Sequence, residues 1–178
     1  DYGVQSSMPV QIGLLYEGQK CAIRNNVFDG TGDGIGPDYT AISVGRRGIE
    51  PKPQQIEIYN NTIYRQDNGF GNKRVGISIS EDVSDATVMN NLVSFPNASV
   101  PVTLISNSST GLVASNNLLI ASVGFIDPNN SSPLLRDFSL QADETGIIDK
   151  GIAVPVFEDF LGQWRTHGRG YDIGAFEE

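Results

Sequence analysis

Four cations stand where they could act together. Arg46 and Arg47 follow the apolar stretch at residues 40–44, and Lys73 and Arg74 lead into a matching stretch at residues 75–80. Cations gathered on one flank can stabilise the negative charge that develops when a base removes a proton beside a carboxylate. Solvated loop charges would explain the same residues. Three carboxylates, Asp29, Asp33 and Asp38, punctuate the glycine-rich run Asp29-Gly30-Thr31-Gly32-Asp33-Gly34-Ile35-Gly36-Pro37-Asp38. Such a loop could wrap calcium, which takes about six to eight oxygens. The spacing is not that of an EF-hand, and an insertion turn needs the same glycines for positive φ. Glu17 with these aspartates, or Glu81 with Asp82, could supply the paired carboxylates of glycoside hydrolysis, although none falls in a recognised pair. Tyr39, Tyr59 and Tyr64, with Tyr16 and Phe70, could offer stacking faces to sugar rings. Tyr59 follows Ile58 and is expected to point outward. His167 is the sole histidine, and no Ser-His-Asp set assembles around it.

Composition narrows the partners. The net charge of −9 argues against nucleic acid, whose recognition needs a basic surface. It would also repel a polyanion unless a local basic patch overcame it. One cysteine excludes an intrachain disulfide. No apolar run approaches the roughly 20 residues of a membrane-spanning helix, so membrane insertion is not expected.

The elements that must position these residues follow from a repeat. Cys21-Ala22-Ile23-Arg24-Asn25-Asn26-Val27-Phe28 is echoed by Ile56-Glu57-Ile58-Tyr59-Asn60-Asn61-Thr62-Ile63. It recurs as Ala86-Thr87-Val88-Met89-Asn90-Asn91-Leu92-Val93 and as Leu112-Val113-Ala114-Ser115-Asn116-Asn117-Leu118-Leu119, at spacings of 35, 30 and 26 residues. A constant kernel at unequal spacing predicts coils of fixed cross-section with insertions at the corners. Period-2 alternation places Cys21/Ile23, Ile56/Ile58, Ala86/Val88 and Leu112/Ala114 on one face. Carried onward, the same phase turns the first asparagine of each pair inward to stack on its copy. It leaves the second as a left-handed corner residue. Further strands are predicted at residues 9–16, 40–44, 75–80 and 100–105. A β-sandwich would favour tight Asn-Gly hairpins between alternating strands, which are missing from those places, and no helical period runs through residues 1–125. The expected fold is all-β, a parallel β-helix of about four coils over residues 1–124, with an irregular cap at 125–178.

These kernels resemble the bacterial right-handed parallel β-helix repeat proteins, the broad pectate lyase-like and chondroitinase-B-like superfamily. The tail looks like the C-terminal signature of secreted members. It runs through Gly124-Phe125-Ile126-Asp127-Pro128, Asp137-Phe138-Ser139-Leu140 and Ile148-Asp149-Lys150-Gly151, and closes with Gly170-Tyr171-Asp172-Ile173-Gly174-Ala175-Phe176-Glu177. Glu144-Thr145-Gly146-Ile147 departs from the Ser-Pro-Ala phrase expected there. The tail suits a lid over the solenoid end, built on Phe157, Phe160, Trp164 and Phe176 and pinned by Asp149, Arg165, Arg169 and Asp172. Residues 1–8 are too few to cover a coil, so N-terminal coils of a longer parent chain, or another subunit, are expected at that end.

The resemblance implies an extracellular or cell-surface protein that binds or cleaves a polysaccharide across its coils. If it is an enzyme, β-elimination of a uronate polymer is favoured over hydrolysis. Arg46, Arg47, Lys73 and Arg74 would then be the catalytic candidates, Tyr39, Tyr59 and Tyr64 the sugar contacts, and calcium at Asp29, Asp33 and Asp38 a potential cofactor. The competing expectation is a non-catalytic structural or adhesive module: a surface stalk, a fibre or a phage-type spike segment.

Overall fold

A computed structural model describes residues 10–12, 20–30, 38–45, 53–66 and 72–178. Arg46, Arg47, Asp33, Glu17, Tyr16 and Phe70 lie outside the described residues. The chain forms a parallel β-helix of about four coils followed by a cap that contains an antiparallel hairpin. Each kernel is two short strands meeting at the Asn-Asn corner. They are β2 (Cys21–Arg24) and β3 (Val27–Asp29), β5 (Ile56–Tyr59) and β6 (Thr62–Tyr64), β8 (Ala86–Met89) and β9 (Leu92–Ser94), then β11 (Leu112–Ser115) and β12 (Leu118–Leu119). A further strand completes each coil: β1 (Val10–Ile12), β4 (Asp38–Val44), β7 (Lys73–Ile79) and β10 (Val102–Asn107).

Three four-stranded parallel sheets result, in the orders β1-β4-β7-β10, β11-β8-β5-β2 and β12-β9-β6-β3. The kernels align without slippage: Cys21 pairs with Ile56, Ile56 with Ala86, and Ala86 with Leu112. Register is this well determined because a one-residue slip would turn every inward side chain to solvent. Ile23, Ile58 and Val88 from one sheet meet Phe28, Ile63 and Val93 from the next and Ile42, Ile77 and Ile79 from the third, forming one continuous core.

At the corners the two asparagines exchange their expected roles. Asn25, Asn60, Asn90 and Asn116 adopt positive φ, between 49 and 57°, and their side chains leave the coil. Asn26, Asn61, Asn91 and Asn117 turn inward and form the column. Nδ2 of Asn26 donates to Oδ1 of Asn61 at 3.0 Å, that of Asn61 to Asn91 at 2.8 Å, and that of Asn91 to Asn117 at 2.8 Å. The left-handed residue itself causes the exchange. Alternation survives only while the backbone stays extended, and a positive φ rotates the next side chain into the coil.

The cap begins with β13 (Phe125–Asp127), a 3-10 turn (Pro133–Leu135) and β14 (Asp137–Leu140), which pairs antiparallel with β13. From there it runs along the asparagine corner, across all four coils. The leading amides hold it: Asn116 donates to Lys150 O at 2.8 Å, Asn90 to Ile152 O at 2.7 Å, Asn60 to Asp172 O at 3.0 Å, and Asn25 to Glu158 O. The cap answers with Ile152 N to Asn90 Oδ1 at 3.0 Å and Ala175 N to Thr62 Oγ1 at 2.9 Å. Gly174, at φ 108°, sits so close that a Cβ would lie 2.8 Å from Thr62 Oγ1. The expected end lid is therefore a flank clasp. Phe176 is buried against the corner, but Phe157, Phe160 and Trp164 face solvent.

Candidate functional site

Of the four predicted cations the structure describes Lys73 and Arg74, and these two do not converge. Lys73 and Arg74 are consecutive on β7 and so face opposite sides of the strand. Arg74 stands in register with Tyr39 and Val102 and is turned into the coil, fully buried, with Nη1 donating to Lys73 O at 3.0 Å. Lys73 stays on the surface, 4.0 Å from Asp38 Oδ2 on the neighbouring strand. Asp29 is engaged by Arg136 of the cap, and Asp33 lies outside the described residues. Among the described residues no group of three or more His, Cys, Asp or Glu side chains gathers as a metal site would require.

The three tyrosines are buried, which corrects their expected role as outward stacking faces. Tyr39 lies in the core, edge-on to Phe95 with ring centroids 5.9 Å apart, and the Arg65 guanidinium sits 4.7 Å from its ring centre. Tyr59 does leave the coil as alternation demands, but Val154 and Val156 of the cap lie over it. Burial, followed by the nearby Glu57, pushes its hydroxyl above the usual phenol range. Tyr64 is enclosed by Phe125 and Phe138 and donates to Asn129 Oδ1 at 2.8 Å.

A different constellation does assemble, where the cap passes β2. Residues 157–165 form a tight hairpin whose organiser is the buried carboxylate of Asp159. Its Oδ1 accepts from Leu161 N and Gln163 N, both at 2.8 Å, and its Oδ2 accepts from Glu177 N at 3.2 Å. Gly162 supplies the positive φ of 79° at the tip. Beneath the hairpin, Arg165 forms a fully enclosed ion pair with Glu177, Nη1 to Oε2 at 2.7 Å, and Nη2 reaches Gly174 O at 3.0 Å and Asn25 Oδ1 at 3.3 Å. Burial pushes the Glu177 and Asp172 carboxyls up and the Arg165 guanidinium down. Desolvation outweighs attraction for all three, so the network fixes geometry at a cost in charge solvation.

This anchoring holds Trp164 out into water at 70% exposure, bridged to Glu158 across the hairpin. Trp164, Phe157, Glu158 and Arg24 line an open cleft of about 400 Å³. Arg24 spends one N–H on Pro155 O at 3.0 Å. Its other donors and the Glu158 carboxylate have no partner among the described residues, and both side chains line the cleft beside the exposed Trp164. Sequence reasoning placed Trp164 and Phe157 in a lid. The missed signal was the Asp159–Gly162 tip, which marks a hairpin that would carry its flanking aromatics away from the body.

Fold and site together define a parallel β-solenoid with a surface cleft of aromatic and charged side chains. Comparison with protein-family models, with curated proteins and with solved structures finds no match.

Proposed function

We propose that this chain is a carbohydrate-binding portion of an extracellular, right-handed β-helix protein of the pectate lyase-like kind, and that it holds a neutral polysaccharide at the Trp164 cleft. The observation that carries this reading is a rigidly supported, solvent-facing indole beside an open carboxylate and an open guanidinium. An indole matches the apolar face of a sugar ring while its N–H stays wet. Glu158 can accept, and Arg24 donate, hydrogen bonds to ring hydroxyls, the few placed polar groups that orient a ligand in such a cleft. The net charge of −9 favours a neutral polymer over a uronate.

Binding without cleavage fits the groups present. Glycoside hydrolysis needs two free carboxyls across the scissile bond, whereas here Asp159 is consumed by backbone N–H groups and Glu158 stands alone. Of the four cations that uronate elimination would draw on, Lys73 and Arg74 face opposite sides of β7, and Arg46 and Arg47 lie outside the described residues.

Affinity electrophoresis against β-1,4-glucan, β-1,4-mannan, β-1,4-xylan and polygalacturonate tests the proposal. At least one neutral polymer should retard the chain, and Trp164→Ala should abolish the retardation while leaving the melting temperature unchanged. Retardation by none of the neutral polymers, or retardation indifferent to Trp164, would overturn it.

A further inference from the structure

The terminal coil has an unusual composition for an exposed edge. Between Asp85 and Asp127 the chain carries no Asp, Glu, Lys, Arg or His, although 19% of all residues are charged. That span includes β10, β11 and β12, the outermost strands of the three sheets at this end. Open edges in soluble proteins are usually blunted by charges, prolines within the strand, or bulges, because their free backbone groups recruit other strands. Here the strands carry neither charge nor proline.

The core is also open at this end. Val88 and Val93 are fully buried, yet the residues in register with them one coil on are exposed: Ala114, and Leu119 at 39%. Phe95, Ala98, Val102, Leu119 and Ile120 border a groove of about 390 Å³. The asparagine column stops with a donor in hand. The backbone N–H of Asn26, Asn61 and Asn91 each meets the Oδ1 of the next asparagine at 3.0–3.1 Å, whereas among the described residues that of Asn117 has no such acceptor. The cap packs against Leu118 and Ile120 and leaves Ala114 and Leu119 exposed.

We infer that the β10–β11–β12 face is an interface for a second copy of this chain, related by a two-fold axis. The charge pattern selects the occupant. This face offers neither sign of charge to a partner. Two chains of −9 repel each other wherever their charges meet, so an uncharged face is where they can dock. A two-fold axis sets β10 antiparallel to its copy and pairs this edge of one chain with the same edge of the other, so that this interface closes at a dimer. This surface is separate from the Trp164 cleft, so the dimer and the glycan reading stand or fall independently.

Sedimentation velocity on the full chain at micromolar concentrations tests the interface. The wild type should sediment as a dimer. Ala114→Glu, which sets a carboxylate on an exposed inward position, and Thr103→Glu, on the exposed outer side of β10, should each weaken dimerisation at least tenfold with the melting temperature of the monomer retained. Leu134→Glu, on the exposed 3-10 turn of the cap, should leave the dimer intact. A wild-type monomer, growth beyond a dimer into head-to-tail filaments, or a dimer that resists both edge charges would overturn the inference.

Discussion

The amide of Asn61 donates to Oδ1 of Asn91 at 2.8 Å, and the backbone N–H of Asn61 reaches the same oxygen at 3.1 Å. One side chain thus satisfies two donors of the coil before it. Asn91 Nδ2 in turn serves Ile58 O at 2.9 Å and Met89 O at 3.1 Å. Corner backbone that would be stranded in the core is paired by a column of amides, which is how the fold turns sharply without water.

Asn91→Ala should therefore cost more than one hydrogen bond. It leaves buried donors and acceptors of two coils unmet, each a penalty of about 1–3 kcal/mol. Urea unfolding should register a loss of about 2–4 kcal/mol, at the sum of one or two such groups, whereas Asn117→Ala, at the open end, should cost less.

The clasp of the cap can be tested at Gly174. Any side chain there must accept a strained backbone, worth about 1–3 kcal/mol, and push against Thr62. Gly174→Ala should loosen residues 150–178 from the corner, seen as faster proteolysis within the cap while strands β5 and β8 keep their hydrogen-exchange protection.

Arg165 and Glu177 form a pair with no solvent exposure. Arg165→Met strands a buried carboxylate and should destabilise by about 3–5 kcal/mol. The double variant Arg165→Met/Glu177→Leu removes the stranded charge and should regain part of that loss. Chemical denaturation of the two variants beside the wild type measures the difference.

The pH dependence of this network has a definite sign. Asp172 and Glu177 sit above their ordinary values of 3.8 and 4.5 because they are buried. The folded chain therefore holds protons at pH values where the unfolded chain has released them. Their contribution is fully present below the unfolded values and is lost as pH rises through the raised folded values. Thermal melts from pH 4 upward (about the ordinary carboxyl range) should show this part of the stability falling as pH rises. Asp172→Asn should flatten that slope.

Much of the architecture was legible because it rests on side-chain alternation. The kernels at Cys21, Ile56, Ala86 and Leu112 align in space as they do in sequence, and the strand ends moved by only a few residues, as with β4, which starts at Asp38 instead of Thr40. What escaped depends on backbone. Alternation could not reveal that Asn60 takes φ 49° and hands the inward position to Asn61. It gave the direction of Tyr59 but not what lies over it. The cap is held largely through carbonyls, those of Lys150, Ile152, Asp172 and Gly174, and a carbonyl leaves no mark in a sequence. Trp164 was counted as buried for the same reason: aromatic content says that a surface will be covered, not which one.

Trp164 is the chain's only tryptophan, so its fluorescence reports on the candidate cleft and on nothing else. Titration with neutral β-1,4-linked hexasaccharides should give a saturable blue shift as a sugar ring displaces water from the indole, and Glu158→Gln should weaken the response. An emission spectrum that stays that of a solvent-exposed indole throughout, with every neutral oligosaccharide, would contradict the assignment of this cleft to carbohydrate.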